Sequence, residues 1–502
     1  MTLLKRNRLK WVGTTAFLIL VSGCSNITVN ESSNDVIKST KHNLVGKGKQ
    51  QWSGIQESLL TQGEVANGNW WKELKDPNLN QIIDKAVGNN YQIWQTKAQV
   101  AQARAQAIIV GADRLPSVTA STSPSAIRQG AGSSGFSTTE SYGVDLNVSW
   151  EVDLWKRLQT KSLASRESYL ASYDALRAVR QTVAAQTAKA YFATVESREQ
   201  VNLSKKTLAV LKETARQVGN RADVGIASPS DKHLSVSNMQ SAAAGLAGQE
   251  EALARVSRQL QLLTADYPNG KVLTANKLVN LPPLPKVGIP ASLLTRRPDV
   301  LAAEKQLRAA GFNVTSAKKS LLPTISLSTA IGTASSELRN ILSGDYSYWS
   351  LAGILLKPIF QGGKLRANVQ LNEAVKEEAI NVYAQTALTA FTEVESALAA
   401  RAIINRRQSA LCEAANASKA AERVAFNRYR QGVEPYLTVL ESQQRALSAA
   451  SSCISARHDA LINYIDLQLA LGGGFDERVE PLSQKKYSKK PLNLIRVNKH
   501  EY

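Results

Sequence analysis

Apolar positions along this chain follow two periods, one helical and one of strand type, in alternating blocks. The stretch from Leu365 to Gln431 is Ala-rich, holds neither Pro nor Gly, and reads as one helix. At ~1.5 Å per residue it spans about 100 Å, far beyond an ordinary domain helix. After Gly432, Glu434-Pro435 opens a second helix, Pro suiting a first turn. Leu440, Leu447, Ile454 and Leu461 then recur seven residues apart, which keeps one seam facing a partner helix in a left-handed supercoil. The opposed positions (Ala446, Ala449, Ala450, Ser451) are small and permit close approach. A hairpin this long cannot bury itself alone, so it is one stave of something larger.

The other period is two. Residues 117–128 lead into a Gly/Ser loop from Gly130 to Gly135, and a return strand over 141–151 alternates sharply. Tyr142, Val144, Leu146, Val148 and Trp150 fall on one side; Gly143, Asp145, Asn147, Ser149 and Glu151 fall on the other. A ten-residue strand with one apolar and one polar face is the unit of a transmembrane barrel, although a half-buried strand of a soluble sheet alternates too. Helical spacing fills 78–113, where Pro116 ends it, and 158–220. Gly225 and Pro229 mark a turn, followed by Met239, Leu246, Leu253 and Leu260 at seven-residue spacing.

The chain is duplicated. Leu115-Pro116 returns as Leu322-Pro323, Leu158 as Leu365 and Gly225 as Gly432, each 207 residues on. The heptad rows match at 208, Met239 with Leu447 and Leu246 with Ile454. A second strand pair covers 324–332 and 347–357. The expected layout is a signal over 1–23, a polar extension over 24–69, a first repeat over 70–270, a Pro-rich linker over 271–296, a second repeat over 297–475 and a Lys-rich tail over 476–502. The tail reads as a solvated end.

Composition narrows the reading. The N-terminus carries Lys5, Arg6, Arg8 and Lys10 before an apolar run from Trp11 to Val21, too short to span a bilayer. Val21-Ser22-Gly23-Cys24 resembles the bacterial lipoprotein cleavage box, which makes Cys24 the expected acylated first residue. Ser25 suits transfer to the outer membrane. The formal charge of +20 falls to +16 when those four cations leave with the signal. No nucleic-acid signature accompanies it, so an anionic envelope surface is the expected partner and nucleic acid is not. Three cysteines and four scattered histidines form no metal spacing, and no nucleophile–base set or phosphate loop appears. No enzyme activity or cofactor is expected. No other apolar run is long enough for a membrane helix, so any membrane crossing must use strands in a closed barrel.

Four strands cannot close a barrel, since single-chain membrane barrels need at least about eight. Several protomers must pool their strands. The motifs Trp70-Trp71, Asp76-Pro77, Arg114-Leu115-Pro116 and Glu151-Val152-Asp153-Leu154-Trp155-Lys156-Arg157 resemble a TolC-type outer-membrane factor of the NodT-like lipoprotein branch. Arg296-Arg297-Pro298-Asp299-Val300, Ala302-Ala303-Glu304, Pro358 to Leu365, Tyr429-Arg430-Gln431-Gly432 and Leu471-Gly472-Gly473-Gly474 continue the likeness over about residues 65–475. The resemblance implies a homotrimer with a twelve-stranded membrane β-barrel, four strands per protomer, on a periplasmic α-helical coiled-coil barrel. It implies passive export of small molecules delivered by a periplasmic adaptor and an inner-membrane pump of the resistance-nodulation-division (RND) type. The rival is a structural coiled-coil envelope lipoprotein without transport, which leaves the duplicated strands unexplained.

The resemblance also places an acidic aperture at the periplasmic tips. The motif position falls on Glu441, with Asp231 after the corresponding turn as a second candidate and Gly225 and Gly432 as the hairpin turns. On three-fold symmetry one Glu becomes a ring of three, which attracts cations. The companion carboxylate of some relatives is Thr438 here. Separately, Cys412 lies 20 residues before Gly432 and Cys453 21 after it, so an antiparallel hairpin sets them nearly level. They could close a disulfide in an oxidising envelope, or be two buried small apolar residues.

Overall fold

The computed structural model of the protein describes residues 35, 37–39, 69–130, 135–283 and 293–473. Cys24, Gly474, the Lys-rich tail and residues 284–292 of the inter-repeat linker lie outside the described residues. A 3₁₀ turn, Trp70–Leu74, precedes α1 (Pro77–Asn89) and α2 (Tyr91–Ala112). β1 (Ser117–Thr122), β2 (Ser125–Gly130) and β3 (Phe136–Val152) follow, then α3 (Arg157–Asp223) and α4 (Pro229–Leu263). The second half holds α5 (Pro298–Lys319), β4 (Thr324–Ser335), β5 (Ser347–Leu356), α6 (Lys364–Arg430) and α7 (Tyr436–Ala470).

The repeat is literal in the helices. α3 and α6 each have 67 residues, α4 and α7 each 35, α2 and α5 each 22, and each second member starts 207 residues after the first (Lys364 against Arg157). The leucine rows, 208 apart, are therefore one residue out of step with the helices that carry them. At 3.6 residues per turn, one residue rotates a side chain by about 100°. The two seams consequently face different directions on equivalent helices, and Cys453 stands where the first repeat has Leu246.

Two stretches differ from expectation. The helix expected over 78–113 breaks at Asn90, which ends α1 and caps α2, its side chain accepting from Gln92 N at 2.9 Å. The strand expected over 117–128 divides at Ser123-Pro124, where Pro has no N–H for the ladder. β1 and β2 both pair with β3, so they remain one stave, and β3 itself starts at Phe136 rather than 141.

The sheet runs β1-β3-β4-β5, all antiparallel, with β2 continuing the first stave. Midway along the long helices the short elements dock and make the core. Trp70, Trp71, Leu79 and Ile83 pack with Tyr191, Phe192 and Tyr464. Leu307 and Val300 pack with Tyr383, Val394 and Leu467. The buried Tyr191 hydroxyl donates to Asp76 Oδ2 at 2.6 Å and accepts from Ala275 N at 3.0 Å, while Asp76 Oδ1 caps α1 through Asn78 N and Leu79 N.

Candidate aperture and membrane-facing sheet

The pairing registers put the apolar side chains of four staves on one face. Val148 faces Val118 on one flank and Thr329 on the other; Trp150 faces Leu327, and Ile331 faces Trp349. Trp349 and Leu351 are 75% and 69% exposed, so nothing among the described residues covers this face. The opposite face shows Ser117, Thr119, Asn147, Ser149, Ser326 and Ser328, joined by bonds such as Asn147 Nδ2 to Ser121 Oγ at 3.0 Å. β5 is less tidy, since Ile354 and Leu356 fall on the polar side. An uncovered apolar face backed by a small polar one fits lipid outside and water inside. Among the described residues no helix is long and apolar enough to cross a membrane.

The strand-to-helix junction explains one motif residue by residue. Lys156 takes a left-handed φ of 60° to turn the chain from β3 into α3. Asp153 caps that helix, Oδ1 accepting from Leu158 N at 3.0 Å and Oδ2 from Gln159 N at 2.7 Å. Glu151 takes two 2.8 Å bonds from Arg157, and Trp155 Nε1 donates to Pro323 O at 2.7 Å, tying the first repeat to the second. In the second repeat Gly363, φ 83°, stands where Lys156 does. The core motif around Arg297 works similarly. Its buried guanidinium holds Asp299 at 2.7 Å, Glu393 at 2.5 Å and the Ala470 carbonyl at 3.2 Å, clamping α5 to α6 and α7.

At the far end the two hairpins turn alike. Gly225 and Gly432 both have φ +77°, and each is followed by a 6→1 bond, Ile226 N to Arg221 O at 2.8 Å and Val433 N to Arg428 O at 3.0 Å. Pairs bridge each turn: Lys232 with Asp223 at 2.7 Å, and Arg428 with Glu434 at 3.1 Å. Val218, Tyr429, Tyr436 and Val439 form a small core joining the tips. Burial pushes the Tyr436 hydroxyl up to about 12, with the neighbouring Tyr429 and Asp231 adding to it.

Glu441 lies on α7, exposed, one turn after the 57%-exposed Leu437 and on the same face. No hydrogen bond or ion pair engages it among the described residues. Asp231 is differently placed. Its Oδ2 accepts from Ser228 N at 3.4 Å while Ser228 Oγ accepts from Asp231 N at 3.1 Å, a capping box that commits this carboxylate to starting α4. Cys412 and Cys453 are bonded, with Cα atoms 4.7 Å apart. Sequence reasoning missed Arg221, whose NH1 donates to the Tyr429 carbonyl at 3.0 Å with its guanidinium 4.8 Å over the Tyr429 ring. The only signal available was that Arg221 and Arg428 are repeat equivalents, which does not reveal the partner.

The family described as outer membrane efflux protein matches this chain twice, over residues 82–266 and 289–473. The chain belongs to this family. It is 33% identical to the outer membrane protein OprJ of Pseudomonas aeruginosa over 85% of this chain and 90% of that one. It is 27% identical to the probable outer membrane lipoprotein SilC of Salmonella typhimurium over 85% and 93%. The Campylobacter jejuni CmeC outer membrane channel superposes with a TM-score of 0.79 at 26% identity, over 85% of this chain and 93% of that one. The two family matches start 207 residues apart, as the helices do. This outer membrane efflux protein is thus a TolC-like efflux channel that spans the outer membrane and extends into the periplasm. The reading as a structural coiled-coil lipoprotein without transport does not account for these relatives.

Proposed function

We propose that three copies of this chain close one duct, and that a periplasmic adaptor and an RND-type inner-membrane pump feed it. The observation that carries this is the incomplete sheet: among the described residues, four staves, two unpaired outer edges and an uncovered apolar face. An eight-stranded barrel is filled by its own side chains, so two copies leave little passage; twelve staves leave a lumen. The internal repeat supports shared walls. Within the chain α5 packs against α3, with Ser316 Oγ donating to Arg157 O at 3.3 Å. Its counterpart α2 carries exposed Trp94, Ile108 and Ile109, and α6, the counterpart of α3, exposes Leu371, Val375 and Val382. A second copy sets α2 beside α6 in the relation that α5 has to α3.

In this reading Cys24 carries the lipid anchor, and Glu441 with Leu437 lines the periplasmic aperture as a ring of three. Small molecules pass without a binding step, and the pump sets the cargo. Catalysis has no part in it. Reconstitution in a planar lipid bilayer tests the reading. Discrete conductance steps with a preference for cations are expected. A protein that inserts as an intact assembly yet never conducts would overturn it.

A further inference from the structure

The Cys412–Cys453 bond staples α6 to α7 about 30 Å from the tip, taking ~1.5 Å per residue over the 20 residues that separate Cys412 from Gly432. The first hairpin has no such bond. Its equivalent positions are Lys205 and Leu246, and near them α3 and α4 are joined by the exposed Lys205–Glu250 ion pair at 3.2 Å. Exposed pairs of that kind restrain little. The one stapled hairpin is also the one that bears Leu437 and Glu441.

Packed helices rearrange by sliding, and the staple decides how far α6 and α7 can slide. A shift of one helical turn, ~5.4 Å, added at right angles to a Cα separation of 4.7 Å stretches it to about 7 Å, beyond what a disulfide spans. With the bond closed, the tip moves only as part of a rigid rod. With the bond open, small facing residues such as Ala446 and Ala449 offer no interlock against shear.

We propose that this disulfide is a redox-controlled stiffener of the aperture. Closed, it holds the Glu441 tip in place; opened, it lets α7 slip on α6, and the aperture opens more often. To form it, the two thiols lose two electrons and two protons to an external protein disulfide by exchange, and that oxidant leaves as a dithiol; a dithiol reductant runs the step backwards. Both cysteines are half-buried in the protomer. The proposal rests on the placement of Glu441 at the aperture.

The test compares single-channel records of the intact assembly in planar bilayers: oxidised, reduced with a small phosphine, and as the Cys412→Ser/Cys453→Ser double variant. Reduced and double-variant channels are expected to open several-fold more often than oxidised ones. The Lys205→Cys/Leu246→Cys double variant, which adds a staple to the first hairpin, is expected to open less often than the oxidised protein. The reduced wild type serves if the serine variant fails to assemble. Channels that conduct and gate alike whether oxidised or reduced overturn the proposal while leaving the duct reading intact; absence of conductance in every arm overturns the duct reading instead. Thiol labelling of both cysteines in protein taken unreduced from the envelope also overturns the proposal.

Discussion

Arg221 reaches from the end of α3 to the end of α6, donating to the Tyr429 carbonyl at 3.0 Å and lying 4.8 Å over the Tyr429 ring. Its NH1 also approaches the Arg430 carbonyl at 3.4 Å. Those carbonyls belong to the last turn of α6, whose C-terminal end is electronegative and favours a cation. One side chain therefore couples the two hairpins near the proposed aperture.

Replacing Arg221 with Ala removes that coupling. A hydrogen bond to a charged group contributes about 1.5–3 kcal/mol, so the balance between closed and open tips is expected to move roughly tenfold or more. Arg221→Lys keeps the charge but loses the planar contact with the ring, and should fall between. Open probability in single-channel records checks both. Records identical to wild type would show that the latch does not restrain the tip.

At the proposed aperture, Glu441→Gln keeps the side-chain length and would remove three charges from a trimer. The ratio of cation to anion permeability is expected to drop towards one, with conductance nearly unchanged. Glu441→Ala also shortens the side chain, and should leak more and raise antibiotic sensitivity. Reversal potentials in asymmetric salt decide the first point. An unaltered permeability ratio in Glu441→Gln would place the carboxylate away from the lumen.

In the core, Tyr191→Phe removes the hydroxyl that bonds both Asp76 Oδ2 and the Ala275 amide. The buried Asp76 Oδ2 and the partly buried Ala275 amide lose that partner, and a buried group left unsatisfied costs about 1–3 kcal/mol. The thermal unfolding midpoint should fall, with channel conductance preserved in the protein that remains folded. An unchanged midpoint would mean that water replaces the hydroxyl without penalty.

Alkaline pH should loosen the tips. Tyr436 is raised from an ordinary 10.0 to about 12, chiefly by burial. A raised value favours the folded, protonated state. That contribution is whole below pH 10 and is lost as pH climbs through 12. Hydrogen exchange in the tip turns, followed from pH 9 to 12, should speed up more in the wild type than in Tyr436→Phe. Equal acceleration in both proteins would assign the effect to other groups.

Much of the architecture was legible because each half repeats the other. A 207-residue offset recovers helix lengths and turn glycines from sequence alone, and alternation from Tyr142 to Trp150 marks the sheet face. Local exceptions were less legible. Pro124 divides a stave without ending it, because β3 continues to pair on both sides of the gap, and one Asn90 serves two helices. The seven-residue leucine rows misled by one residue, since they record which face is apolar and not where a helix begins. At the helix tips, Asp231 shows the limit most plainly: a carboxylate three residues after Ser228 reads equally as a charge and as a cap. Arg221 was out of reach because its partner carbonyl lies 208 residues away and carries no side-chain signature.

In the proposed assembly one chain supplies a third of a closed wall, and weighing the assembly tests that most directly. Native mass spectrometry of the detergent-extracted protein, purified without adaptor or pump, should record three copies. A folded, stable single chain as the dominant species would contradict the account.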